Sequence, residues 1–355
     1  MEPYTWGLFA NMYPAFEGDY RGIFIQQMVR DLEARGITVK KAVKIPSSVI
    51  GYIPFFWQSL LLIRDSSPDI LQAEYIPHSS IIPAFLKRRE IPLVLKFHGD
   101  DARIYPFKNP FNRALTRSMF NRADHVITSS GEIRRILISI GGDPQRITPI
   151  HTGVDSVFFA PGSRSEARAA LHLPESRTIF VFVGRLHPWK GIPEIMRVAE
   201  TCPDILFVLI GPGNVPAHSE NCIFTGALVP QKVRIWLHAA DCMILPTHTE
   251  AIPTSVMEAF ACGIPAITTD IGGCPEIVEE GITGLMVPVN NVRALRDAVV
   301  WMHLHPSEMR EMGRRARMTA TRQYDHTVLI EKLMAVHRDV LSSFVSSRKP
   351  RGYVL

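Results

Sequence analysis

Cysteine is scarce in this chain of 355 residues, which contains five, all between Cys202 and Cys274. Their number is odd and no two have Cys-x-x-Cys spacing, so neither a disulfide framework nor a cysteine metal site is predicted. No apolar run reaches the roughly 18 residues that a membrane span needs, and no basic-then-apolar leader opens the chain. We therefore expect a cytoplasmic protein with reduced thiols.

Two further absences argue against particular classes of function. No G-x-G-x-x-G turn follows the first predicted strand, which argues against a dinucleotide-dependent oxidoreductase. The net charge of +5 is modest and no recognition motif accompanies it, so we expect no nucleic-acid partner. Within residues 1–155, however, 19 basic side chains exceed 15 acidic ones. This excess is either a scatter of solvated charges or a surface for anionic membrane or a phosphorylated acceptor.

The most apolar segment covers residues 49–63. It is interrupted by Tyr52, Pro54 and Gln58, and Arg64 stops it. Such a segment is either a buried helix between two strands or an interfacial helix that touches a membrane with its aromatic face.

Short apolar strands alternate with amphipathic helices, which predicts parallel sheets with helices on both faces. A less regular stretch, residues 152–174, separates two such series. We place an N-terminal domain at residues 1–155, a C-terminal domain at 156–325, and a final helix with a tail at 326–355. The predicted strands are residues 4–10, 70–73, 93–97 and 126–129, then 179–183, 206–210, 242–245, 266–269 and 285–287.

A cationic loop follows the predicted strand 179–183. After Gly184, Arg185 offers a planar fork of donors and Lys190 a compact positive charge. Gly191 lets the backbone approach closely. This arrangement suits a diphosphate, whose negative charge grows as a bond to it breaks. The alternative is a surface loop with two solvated cations.

Two carboxylates lie on either side of a predicted helix start, Glu250 and Glu258, with seven residues between them. Pro253 fits the first turn of that helix, and a helix N-terminus suits a phosphate. The carboxylates would suit the hydroxyls of a sugar and a ribose. Alternatively, Glu258 only forms a capping box with Ser255, which leaves Glu250 unexplained.

The order of these motifs resembles that of the retaining glycosyltransferases of family 4, over nearly the whole chain. The resemblance implies the GT-B architecture, an α/β fold of two Rossmann-like domains that face each other across a cleft, with the final helix crossing back to the N-terminal domain. It also implies transfer of a hexose-type sugar from a nucleoside diphosphate donor to a hydroxyl of a glycan or lipid-linked acceptor, with retention, as in polysaccharide biosynthesis. The motifs are Arg185 with Lys190, Glu250 with Glu258, Gly272-Gly273 with Pro275-Glu276, and Gly281 to Gly284.

The resemblance also implies roles for individual residues. Arg185 and Lys190 would hold the diphosphate, Glu250 would contact the donor sugar, and Glu258 would bond the ribose hydroxyls. His98 matches a family histidine beside the donor sugar, although a capping or core histidine is the alternative. The catalytic set is thus Glu250, His98, Arg185 and Lys190, and the donor-binding set is Gly22, Gly184, Arg185, Lys190, Ile252, Pro253, Thr254 and Glu258, with Gly18 and Gly22 in the glycine-rich first loop.

The partners follow from the same resemblance. No Asp-x-Asp pair occurs, and metal-dependent glycosyltransferases of the other common architecture use that pair. We therefore expect no metal and no cofactor, with UDP favoured over GDP or ADP as the nucleotide. Peripheral contact with the inner face of an anionic membrane is a further expectation. Two alternatives stay open, a nucleotide-sugar epimerase on the same fold and a non-catalytic sugar- or nucleotide-binding partner.

Overall fold

The chain forms two compact α/β units. The computed structural model describes residues 4–14, 22–44, 49–65 and 67–346. The first unit contains residues up to His151 together with those from Thr327 onward, and the second runs from Thr152 to His326. Gly18 and the tail beyond Ser346 lie outside the described residues.

The first unit contains a six-stranded parallel sheet with the order β2-β1-β3-β4-β5-β6. Its strands β3 and β4 are buried along their whole length, as expected of a parallel sheet covered on both faces. The strands are β1 (Thr5–Ala10), β2 (Thr38–Val43), β3 (Ile70–Glu74), β4 (Leu93–Phe97), β5 (His125–Thr128) and β6 (Ile147–Pro149), and the helices are α1 (Ile23–Glu33), α2 (Tyr52–Asp65), α3 (Ile81–Leu86), α4 (Asp100–Arg103), α5 (Pro110–Arg122) and α6 (Gly131–Ser139).

The second unit has its own six-stranded parallel sheet, with the order β12-β11-β10-β7-β8-β9. Its strands are β7 (Ile179–Val183), β8 (Leu206–Ile210), β9 (Cys222–Gly226), β10 (Cys242–Leu245), β11 (Ala266–Thr269) and β12 (Gly284–Val287). Its helices are α7 (Arg164–Ala170), α8 (Ile192–Thr201), α9 (Pro230–Ala239), α10 (Thr254–Ala261), α11 (Cys274–Ile277), α12 (Val292–Leu304) and α13 (Pro306–Thr319).

The stretch interpreted as irregular, residues 152–174, contains helix α7. The Ser163 side chain accepts a hydrogen bond from the Glu166 backbone N–H at 3.3 Å and so caps this helix. Arg168 within it is fully buried against Asp241, with an Nη2–Oδ2 distance of 2.7 Å. The sequence did not predict this short helix because its buried residues, Ala167 and Arg168, give no apolar pattern at helical spacing.

The last helix, α14 (His326–Ser346), follows a π-helical turn at Ala320–Tyr324. Its buried face packs into the core of the first unit, with Leu329, Ile330, Leu333 and Met334 beside residues of β1 and α1. The first unit is therefore built from two parts of the sequence. In the described residues, no helix has the combined length and apolarity that crossing a bilayer requires. All five cysteines are buried, and none forms a disulfide.

Candidate active site

A cavity of about 310 Å³ opens in the second unit where β7 and β10 end. Ligands of open parallel sheets bind at this carboxyl edge. Eight of the residues predicted from the sequence to hold the donor or act on it line this cavity. The lining residues are Val183, Gly184, Arg185, Lys190, Leu245, Glu250, Ile252, Pro253, Thr254, Ser255 and Glu258.

The loop after β7 is held close to β10 by a glycine. A short 3-10 turn spans Pro188–Lys190, and Gly191 ends it in the left-handed region with φ of 77°. A Cβ atom at Gly191 would lie 2.2 Å from the Pro246 carbonyl oxygen. Any other residue would push the loop away from the end of β10, and Lys190 with it.

Lys190 and Glu250 form an ion pair across the cavity. The Nζ–Oε2 distance is 2.5 Å, and the two side chains are 29% and 13% exposed. An ammonium group has three donors, so the pair fixes the Lys190 side chain while leaving it donors for an anion. Sequence reasoning gave these residues separate roles and did not foresee that they touch.

Arg185 provides a second cation at the cavity. Its side chain is exposed, and no carboxylate in the described part of the chain pairs with it. A guanidinium without an internal partner retains all its donors for an external anion.

Glu258 lies in the second turn of α10 and does not act as a cap. The residue before that helix is Pro253, and no side chain caps the helix N-terminus. The Ser255–Glu258 capping box considered above is therefore not formed. Glu258 is half-buried and reaches the cavity, and burial raises its pKa to about 7. A carboxyl group with this pKa changes its charge near neutral pH.

The Gly272-Gly273 motif supports the glutamate loop from behind. Gly272 has φ of +64°, and a Cβ atom there would lie 1.8 Å from the Glu250 carbonyl oxygen. The Gly273 backbone N–H donates to the same oxygen at 3.2 Å. The two glycines do not line the cavity, so their effect on it acts through the position of Glu250.

Two of the predicted residues, His98 and Gly22, belong to the first unit. Gly22 precedes α1 in the left-handed region, with φ of 69°. His98 follows β4, and the ring of Phe24 in α1 lies 5.1 Å from the His98 ring between centroids. Both residues therefore lie at the carboxyl edge of the first sheet.

His98 is held by buried polar groups. Its Nε2 donates to Glu74 Oε2 at 2.5 Å, and the ring of Tyr75 stacks on it with 4.2 Å between centroids. The Asp101 carboxylate accepts the backbone N–H groups of His98 at 3.0 Å and of Gly99 at 2.7 Å. These contacts fix the orientation of the ring before any ligand arrives.

Sequence reasoning missed the chain of hydrogen bonds behind His98. Gln72 Nε2 donates to Glu74 Oε1, His337 Nε2 donates to Gln72 Oε1 at 2.7 Å, and the Tyr4 hydroxyl donates to His337 Nδ1 at 2.8 Å. Every donor in this chain points toward Glu74. No local signal could have revealed it, because Gln72 and His337 are 265 positions apart.

The charged and polar groups around Glu74 favour its ionised form. Burial alone would raise the pKa of Glu74, but Lys96, His98 and Gln72 together lower it. Burial lowers the pKa of His337 to about 3, so this imidazole is neutral at physiological pH. A neutral His337 can donate through one nitrogen and accept through the other, as the observed bonds require.

Solved structures share this fold. Sucrose-phosphate synthase from Thermosynechococcus elongatus superimposes with a TM-score of 0.80 at 17% identity, covering 96% of this chain and all of that one. Anabaena Alr3699/HepE in complex with UDP-glucose gives a TM-score of 0.70 at 19% identity, covering 95% of this chain and 99% of that one. At these identities the likeness establishes the two-domain Rossmann-like fold.

The sequence comparisons define the family. Residues 163–319 match the family described as Glycosyl transferases group 1, and residues 23–158 match Glycosyltransferase Family 4. The chain belongs to the group 1, family 4 glycosyltransferases. The D-inositol 3-phosphate glycosyltransferase of Mycolicibacterium paratuberculosis is 31% identical in an alignment of 261 residues that covers 68% of this chain and 59% of that protein. The chain thus matches less than two thirds of that relative's length.

Proposed function

We propose that this protein transfers a hexose-type sugar from a nucleoside diphosphate donor to an acceptor hydroxyl. The observation that carries the proposal is the cavity at the end of β7 and β10, where Arg185 and Lys190 face Glu250 and Glu258. Two cations and two carboxylates around one small cavity suit a ligand that combines a diphosphate with hydroxyl groups. Membership in the group 1 and family 4 glycosyltransferases supports the same activity.

In this proposal the donor lies along the start of α10. Arg185 and Lys190 bind the diphosphate, together with the N-terminus of α10 near Pro253 and Thr254. Glu258 bonds the ribose hydroxyls, and Glu250 contacts the sugar while its ion pair holds Lys190 in place. UDP is the proposed nucleotide, which agrees with the UDP-glucose bound to Anabaena Alr3699/HepE.

The two cations would stabilise the leaving diphosphate without a metal. Charge builds on the diphosphate as the glycosidic bond breaks, and fixed donors that already point at it lower the barrier. The acceptor hydroxyl attacks from the same face, its proton passes to the leaving phosphate, and the anomeric configuration is retained. His98 would contact the sugar at the carboxyl edge of the first sheet. The acceptor we propose is a glycan or a lipid-linked sugar of polysaccharide biosynthesis.

The donor site is tested by thermal unfolding with UDP, GDP or ADP in EDTA. A nucleotide at about 100 times its dissociation constant adds roughly 2.7 kcal/mol to the folded state. We expect UDP to raise the midpoint of the wild type and to lose this effect with Lys190→Ala. The matched control is Lys232→Ala, because Lys232 is an exposed lysine of the same unit on α9.

Product analysis then separates the activities. Sugar transfer with retained configuration, seen by NMR, is the expected result, and an inverted product would refute the same-face mechanism. An isomerised nucleotide sugar formed without an acceptor would identify an epimerase. Nucleotide binding without turnover of any UDP-sugar would identify a binding partner, and the absence of any nucleotide shift would refute the donor site.

A further inference from the structure

The surface of the first unit carries an unusual concentration of apolar side chains. Of the twenty exposed large hydrophobic residues in the described chain, eleven lie between residues 50 and 111. Surface apolar residues are normal when scattered, but a contiguous patch indicates an interaction site. Ten of them lie on α2, α3, residues 104–107 and the start of α5, which pack on one another. We call this group the apolar face: Ile53, Phe56, Trp57, Leu61, Ile81, Phe85, Leu86, Ile104, Phe107 and Phe111.

Helix α2 contributes an outward stripe to this face. Ile53, Trp57 and Leu61 recur at intervals of four residues and are 61%, 61% and 56% exposed. The opposite side of the helix buries Phe55, Leu62 and Ile63 in the unit. The helix is therefore apolar on both sides, and within the described part of the unit only its inner side is packed. Residues 49–63 were interpreted either as a buried helix or as an interfacial helix. The structure has features of both, because the inner side of α2 is packed and its outer side is exposed.

Ring contacts join the parts of the apolar face. The ring of His78, after β3, lies 6.1 Å from the ring of Tyr52 at the start of α2 and 6.0 Å from that of Tyr105, after β4. Helices α2 and α3 pack on each other, as do α3 and α5. His78 and Tyr105 follow the carboxyl ends of their strands, so the face extends to the edge of the sheet where ligands bind.

Cations surround the apolar face. Lys44 lies 4.6 Å from the Tyr52 ring centroid, and Arg122 lies 4.4 Å from that of Phe85. Arg88 donates to the carbonyl oxygen of Arg64, the last cation of α2, at 2.6 Å. Burial and the nearby charges of Lys108 and Lys44 lower the pKa of His78.

Anions are few beside these cations. Residues 49–64 and 75–89 contain no aspartate or glutamate. Asp65, Glu90 and Asp100 flank these stretches, but the cations named above outnumber them, so the border of the face carries a net positive charge. A two-fold dimer would press this face against its own copy and bring like charges together. An anionic lipid surface would instead neutralise them.

We propose that the apolar face docks on an anionic lipid bilayer. The aromatic and aliphatic side chains of α2, α3 and residues 104–111 enter the headgroup region, as interfacial helices do. Lys44, Arg64, Arg88, Lys108 and Arg122 bind lipid phosphates. A bilayer docked here would lie beside the carboxyl edge of the first sheet, where a lipid-linked acceptor would enter; this last point rests on the proposed function.

Vesicle co-sedimentation tests the docking. The wild type should bind vesicles of phosphatidylcholine with phosphatidylglycerol, bind phosphatidylcholine alone far more weakly, and be released by salt. The double variant Ile53→Gln/Leu61→Gln should lower the partition coefficient about ten-fold or more, because it removes two inserted side chains. The variant Lys108→Gln/Arg122→Gln should lower it roughly 25-fold, at about five-fold per cation.

The matched control is Val215→Gln/Leu304→Gln, which changes two aliphatic residues of the second unit that are 53% and 65% exposed. It should bind as the wild type does. The Trp57 side chain should report insertion by a blue shift of its fluorescence, which Trp57→Phe removes while binding persists. UDP stabilisation measured without vesicles should be the same in all these variants, so a failed donor site and a failed docking face are distinguishable.

Three outcomes would overturn the docking proposal. They are equal binding to phosphatidylcholine alone, equal loss of binding in the control variant, and no vesicle binding by the wild type. A dimer in size-exclusion chromatography that Ile53→Gln/Leu61→Gln converts to a monomer would assign the face to a second copy of the chain instead.

Discussion

Replacing Glu258 by glutamine should stabilise the protein at about pH 8 and have little effect at about pH 5. Burial raises the pKa of this carboxyl from an ordinary 4.5 to about 7. At a pH between these two values, the Glu258 carboxyl is therefore protonated in the folded protein but ionised in the unfolded chain. The stability that Glu258 contributes is complete below about 4.5 and is lost as the pH rises through about 7.

The size of the effect follows from that difference in pKa. At about 1.4 kcal/mol per pKa unit, a rise from 4.5 to about 7 corresponds to at most about 3 kcal/mol. Water reaching the carboxyl from the cavity reduces this limit, so we expect about 2 kcal/mol between the two pH values. Glutamine has a similar shape and no charge at either pH.

The assay is unfolding in urea, monitored by hydrogen exchange in peptides from β10 and β11. These peptides report on the stability of the second unit alone. The variant Glu308→Gln is the control, since Glu308 is exposed on α13 of the same unit. If the wild type and Glu258→Gln show parallel stability curves from about pH 5 to about pH 8, the carboxyl is not held in a desolvated state and the reasoning fails.

Two further predictions concern Glu74, which contacts His98, and Gly272, which contacts the Glu250 loop. Glu74→Gln should destabilise the first unit by about 3 kcal/mol near neutral pH, because it removes the anion that accepts from His98 and Gln72. Since the pKa of Glu74 is lowered, this cost should shrink as acid protonates the wild-type carboxyl, and an unchanged melting midpoint at neutral pH would contradict it. Gly272→Ala should lower kcat/KM at least about ten-fold by displacing the Glu250 loop. The control is Gly281→Ala, because Gly281 also has a positive φ of +71° but nothing lies within 4 Å of an added Cβ. If both variants lose kcat/KM equally, backbone strain and not displacement of the Glu250 loop is the cause.

The sequence predicts the central strands of both sheets and the edge strand β12, but not the other edge strands, β2, β6 and β9. Strands β7 and β8 are continuous apolar runs, and β3 and β4 are mostly apolar, because helices cover both of their faces. Strand β2 lies at an edge and exposes Lys40 and Lys41, and β9 is only half-buried. Edge strands need no apolar run, so their sequences resemble loops.

The sequence likewise predicts some features of the candidate site and not others. Residues 184–258 carry their signal locally, because a loop and a helix start each need particular residues in sequence. The ion pair of Lys190 with Glu250 and the bond of His337 to Gln72 join residues 60 and 265 positions apart. Such contacts depend on how distant elements pack, which the spacing of residues along one chain does not encode.

The division of the first unit between two parts of the sequence has a consequence for synthesis on the ribosome. Residues of β1 and α1 leave the ribosome before the second unit, but the helix that completes their core, α14, is made after the whole second unit. Until then Trp6 and Ile25 lack the apolar partners that Leu333 and Met334 supply, and Tyr4 and Gln72 lack His337. The second unit, from Thr152 to His326, is continuous in sequence and can fold as it emerges. The first unit therefore cannot complete its core until the second unit has been synthesised.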